Sequence, residues 1–176
     1  MTLSNLRLRI STPAEPIVPG RGFYQLEEDA LYVQIGLFTG NRPFFSYLES
    51  EHTRFDIDRN GRLIFIEIAL PRRQWPVDPD LKPPEIIEPA DIRFLNFRDQ
   101  FPTPRLATNK RRTRLALLFD DVSPVRNYYL AEHVIARVDQ SDHLAAVWID
   151  DIIDDLAGQE IGAARRKSRH DEPFFG

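Results

Sequence analysis

Residues 54–70 read RFDIDRNGRLIFIEIAL, and this stretch decides the fold. Phe55 and Ile57 alternate with Arg54, Asp56 and Asp58, while Ile64, Ile66, Ile68 and Leu70 share one parity. A period of two in aromatic and β-branched residues marks strands with one buried face. Asn60-Gly61 stands between the two runs, and both residue types tolerate the positive φ that a tight hairpin turn demands. Upstream, Leu31, Val33, Ile35 and Leu37 repeat the alternation. The stretch therefore predicts a three-stranded antiparallel meander.

That pattern occurs twice. Sliding the chain by 81 residues aligns Leu37–Ile68 with Leu118–Ile149, and nine of the 32 pairs are identical, among them Tyr47/Tyr128, Glu51/Glu132, His52/His133 and Asp58/Asp139. Ile64, Ile66 and Ile68 map onto Ala145, Val147 and Ile149, so inward and outward positions stay aligned. The expectation is an all-β or β-dominated α+β protein: two duplicated meanders, each with an apolar face, packed on one another about a pseudo-twofold axis. One short C-terminal helix is expected from Asp150, because Ile152, Ile153 and Leu156 share a helical face and acidic residues fill the first turn. Gln159–Arg166 also reads as helical.

Proline sets the boundaries. Eight of the 14 prolines lie between Pro71 and Pro104, and three more at Pro13, Pro16 and Pro19. Proline lacks a backbone donor and is excluded from central strands. The expected organisation is an N-terminal strand and proline-containing arm (1–22), a first repeat (23–70), a proline-rich connection (71–104), a second repeat with the start of the helix (105–157), and a polar tail (158–176). A short strand is expected at Ile92–Phe97, and Trp75 and Trp148 are expected to pack in the core or against the connection.

YQLEEDALYVQI (24–35) and DIDRNGRLIFIEI (56–68) together resemble an uncharacterised family of small bacterial β-rich domains. The matching positions are Tyr24, Glu27, Asp29, Ala30, Leu31, Tyr32, Asp56, Asp58, Gly61, Ile66, Glu67 and Ile68. The resemblance covers residues 23–68 and applies again, through the repeat, to 105–150. Two departures stand out: Phe65 replaces a small residue, and Lys110-Arg111-Arg112-Thr113 falls where D-A-L-Y would recur. The resemblance implies a compact β-rich domain and carries no assigned activity.

Composition narrows the chemistry. The chain has no cysteine, so thiolate metal sites, disulfides and cysteine nucleophiles are excluded. No apolar run approaches the roughly 20 residues of a membrane-spanning helix, and MTLSNLRLRISTP lacks a secretory layout, so a cytoplasmic protein without a membrane partner is expected. Of 23 basic residues 20 are arginine, yet the net charge is −4, and no nucleic-acid partner is expected. Either a monomer, as an internal pseudo-dimer, or a homodimer fits the repeat.

Four candidate clusters remain. Glu51-His52 and Glu132-His133 occupy equivalent repeat positions, so a twofold axis could join them into a metal or acid–base site. Asp56 to Glu67 matches a calcium-loop spacing at every position but is flanked by strands instead of helices, which favours a plain hairpin. Asp150, Asp151, Asp154 and Asp155 could gather a cation. Lys110–Arg114, joined by Tyr128 and Tyr129, could stack and neutralise a nucleic acid. No catalytic constellation is complete. The leading expectation is a non-catalytic binding or interaction module. The first alternative is a metal-binding protein or metal-dependent hydrolase using the Glu-His pairs; the second is nucleic-acid binding through the arginine runs.

Overall fold

The computed structural model describes residues 4–13, 15–36, 44–119 and 125–155. In chain order the strands are β1 (Leu8–Ser11), β2 (Gly20–Gln25), β3 (Ala30–Ile35), β4 (Ser46–Glu49), β5 (Thr53–Ile57) and β6 (Leu63–Ile68). Then follow β7 (Glu88–Pro89), β8 (Asp91–Phe94), β9 (Asp99–Gln100), β10 (Arg105–Thr108) and β11 (Leu115–Leu118). The last four are β12 (Val125–Ala131), β13 (Val134–Asp139), β14 (Leu144–Ile149) and β15 (Ile153–Asp154). The only helical element among the described residues is a 3-10 turn, Arg72–Gln74. The protein is β-dominated, as the alternation predicts.

Two large sheets share one connectivity. The first runs β15-β2-β3-β6-β5-β4-β9 and the second β10-β11-β14-β13-β12-β7. In each, an antiparallel meander (β4-β5-β6 or β12-β13-β14) is extended by a hairpin (β2-β3 or β10-β11) laid against its last strand. The connection between them supplies outer strands to both, since β9 pairs parallel with β4 and β7 pairs parallel with β12. β1 and β8 form a separate antiparallel pair, with Leu8 opposite Phe94. The proline-rich connection is thus part of the sheets, and the predicted short strand exists as β8.

The main core lies between the sheets. Leu31, Val33, Ile66 and Ile68 of the first meet Leu115, Leu117, Val147 and Ile149 of the second in one buried cluster. Smaller clusters cover the outer faces, around Tyr32 and Phe65 on one sheet and around Trp148 on the other. β14 is consequently buried along its whole length. Trp75 is 1% exposed, donates Nε1–H to the Leu70 carbonyl at 3.1 Å and meets the Tyr24 ring edge-on. Burial pushes the Tyr24 phenol above its ordinary pKa, partly opposed by the Arg72 amide that its oxygen accepts at 3.0 Å.

Two expectations need correction. Ile64 does not share a face with Ile66 and Ile68: it packs on the outer face, because Asp56 pairs with Phe65 and Ile57 with Leu63, leaving Ile64 as the extra residue of a bulge. Ala145 is the extra residue of the matching bulge, between Arg137/Ala146 and Val138/Leu144. The expected helix from Asp150 is also absent over 150–155. There Ile153 and Asp154 pair in parallel with Phe23 and Tyr24 as β15, so strand pairing overrides the helical spacing. The remainder of that helix and the Gln159–Arg166 segment lie outside the described residues.

Candidate functional site

The Glu-His pairs sit at the two meander turns. Glu51 and His52 follow β4, and His52 Nε2 lies 3.7 Å from Glu51 Oε1, with their side chains 40% and 71% exposed respectively. Glu132 and His133 form the turn between β12 and β13, where His133 takes φ 64. Arg21 Nη2 lies 3.4 Å from His133 Nε2 and donates to Asp151 Oδ2 at 2.7 Å, and the same imidazole nitrogen is 4.0 Å from that carboxylate oxygen. Gly20 allows that approach: a Cβ there would meet Glu132 O and Ala131 Cβ at 2.6 Å. A cavity of about 230 Å³ is lined by Arg21, Gln34, Glu132 and His133, and neither Glu51 nor His52 reaches it. Each pair keeps separate partners. A guanidinium beside His133 disfavours a divalent cation, and among the described residues no three His, Asp or Glu side chains converge as metal ligands.

The carboxylates of the calcium-like stretch are engaged in folding. Asp58 Oδ1 accepts the Asn60 and Arg62 amides at 2.8 and 2.9 Å, and Asp139 Oδ1 accepts the Ser141 and His143 amides at 2.8 and 2.9 Å. Asp56 is held by Arg54 at 2.7 Å. These are hairpin turns stabilised by an aspartate that bonds forward to its own backbone.

The acidic stretch at 150–155 is a clasp. Asp150 receives Arg114 Nε at 3.0 Å, Asp151 receives Arg21, and Asp154 receives Arg72 Nη1 at 2.6 Å. Arg112 is tied as well, through Nε to the Arg72 carbonyl at 3.0 Å. The basic run therefore belongs to this clasp. It lies between β10 and β11, and two strands, β14 and β13, separate β11 from Tyr128 and Tyr129 on β12, so the predicted stacking platform is not assembled.

A different cluster is assembled around Phe45 and Phe97, which the sequence did not single out. Phe45 and Phe97 are 40% and 42% exposed, and their rings meet edge-on at 6.0 Å. Arg59 lies 5.3 Å from the Phe45 centroid, Arg98 5.9 Å from that of Tyr47, and Arg54 4.3 Å from that of Tyr47 and 5.5 Å from that of Phe44. These distances are in cation–π range: Arg59 lies beside the exposed Phe45–Phe97 pair, and Arg54 and Arg98 flank the ring of Tyr47, which is nearby on β4. Local pairing explains it. β9 lies against β4, Phe94 and Phe101 are buried on either side of the loop, and Asn96 accepts the Arg7 amide at 2.8 Å and donates to Asp99 at 3.1 Å. Between those anchors Leu95, Phe97 and Arg98 stay at the surface, with Arg98 at φ 55. Aromatic rings beside arginine on a fixed support are the composition of binding hot spots.

No protein-family model matches the chain, and no curated protein matches it. No helix among the described residues is long and apolar enough to cross a membrane.

Proposed function

We propose that this chain is a non-catalytic interaction module that recognises protein partners through the arginine–aromatic face of Phe45, Tyr47, Phe97, Arg59 and Arg98. The observation that carries the reading is the pair of exposed phenylalanines held at 6.0 Å beside guanidiniums on anchored backbone. Such a face gains from burying rings with little further loss of conformational freedom, and its arginines select acidic neighbours. Two copies of one β unit about a pseudo-twofold form its framework. Supporting this are the nine identities, the shared strand order, the equivalent bulges at Ile64 and Ala145, and the equivalent aspartate turns at Asp58 and Asp139. The resemblance of residues 23–68 to a family without assigned activity, and a cytoplasmic setting, belong to the same reading.

The test is peptide-display selection on the native protein and on a Phe97→Glu/Arg59→Glu variant that keeps the native circular dichroism spectrum. Enrichment of acidic, apolar peptides by the native protein alone is expected. Equal enrichment by both proteins would contradict the assignment, as would turnover in a broad hydrolase screen that disappears on His133→Ala or His52→Ala.

A further inference from the structure

The connection that delivers Phe97 to the first sheet also presents a segment of opposite character on the second. Residues 85–88 read Glu-Ile-Ile-Glu, between Pro84 and Pro89. Ile86 is 79% exposed, the most exposed large apolar residue among those described, with exposed Glu85 and Glu88 close in the chain. Ile87 is half-buried and packs against the Trp148 cluster, while β7 pairs with Tyr128 and Tyr129. The knob is therefore anchored at its base. It occupies the same place on its sheet as the arginine–aromatic face does on the other, because β7 flanks β12 as β9 flanks β4.

The two surfaces are complementary in charge and in shape class: an aliphatic side chain between carboxylates, and exposed rings beside a guanidinium. We infer that a second copy of this chain is a partner of the face, its Ile86 packing on the exposed Phe45–Phe97 pair while Glu85 and Glu88 meet Arg59 beside it. The inference rests on the interaction reading and names an occupant for that site. Knob and face are different surfaces, so the contact is heterologous and each chain offers one of each. One knob buries little area, which places the contact in the small, transient class below about 1,200 Å². Association is then concentration-dependent, and it weakens with salt because carboxylate–guanidinium pairs at a solvated rim are screened.

The experiment is sedimentation equilibrium on the full chain and on two surface variants, Ile86→Asp and Phe97→Glu, each checked for native circular dichroism. The native chain is expected to self-associate, with an association constant that falls as salt rises. Each variant alone loses about thirtyfold or more in that constant, the effect of removing a hot-spot side chain. Mixing the variants restores association, since one retains the face and the other the knob. A native chain that stays monomeric overturns the inference, as does association indifferent to either variant or not restored on mixing. Arg59→Glu provides a second lesion of the face should Phe97→Glu fail to fold. Self-association can fail while selected peptides still require Phe97 and Arg59; then the partner named here is wrong and the module reading stands. If the peptides fail too, both fall.

Discussion

Asp91 joins two segments of chain through one carboxylate. It accepts from Arg62 Nε and Nη2 at 3.2 and 3.3 Å and from Arg93 Nη2 at 3.2 Å, tying the β5–β6 turn to β8. Hydrogen bonding from the Arg62 guanidinium holds this carboxyl below the usual aspartate range, against the opposing effect of burial. A depressed folded pKa means stability present above the unfolded value of about 3.9 and lost as pH falls through the folded one. Asp91→Asn is therefore expected to cost about 1.5–3 kcal/mol in urea unfolding at neutral pH, the range for a hydrogen bond to a charged group. The gap to the native chain should close at acid pH, and a constant gap would contradict the account. Gly61 takes φ 84, and a Cβ there would lie 2.4 Å from the Phe94 carbonyl oxygen. Gly61→Ala is expected to lower stability by more than about 1 kcal/mol in the same measurement. The hairpin at Asn60-Gly61 was readable in sequence because turn chemistry is local. That Gly61 also gives its carbonyl to Phe94 at 2.7 Å was not, since Phe94 lies on another segment.

At the scale of elements, the alternating strands announced themselves, and their neighbours did not. β4 is short and β2 carries two glycines, so neither shows the alternation of β3 or β6. Bulges also defeat a parity count. One extra residue at Ile64 turns a uniform run into two faces, and nothing in a row of isoleucines marks where that residue falls. The acidic stretch misled for a related reason: its helical spacing is real, but its carboxylates are taken by Arg114, Arg21 and Arg72 from elsewhere, and β15 forms on β2. The connection read as a linker because proline breaks periodicity, yet it inserts Trp75 into the core beside Tyr24. Trp75→Ala is expected to destabilise by about 3–5 kcal/mol and to change the near-ultraviolet circular dichroism. A loss within measurement error would show that the connection is dispensable.

The whole molecule exchanges parts between its halves. β9, next to the second half in sequence, lies on the first sheet, β1 pairs with β8, and one cluster spans both sheets. Neither half can close its core alone, so urea unfolding is expected to be a single transition, coincident by near- and far-ultraviolet circular dichroism. Two separated transitions would mean independent halves. The same exchange hid the arginine–aromatic face. Phe45 precedes β4 and Phe97 precedes β9, far apart in the chain, and only the parallel pairing of those strands brings them together. The repeated Glu-His pairs, by contrast, were visible in sequence, and the structure gives them separate partners. The face is the centre of the functional account. Its most direct test is titration of the acidic, apolar peptide most enriched in the display selection into isotopically labelled full-length protein, followed by amide chemical shifts. Saturable shifts at Phe45, Tyr47, Arg59 and Phe97, absent in Phe97→Glu, are the predicted result. Silence at those amides, or shifts gathered instead around His133, would contradict it.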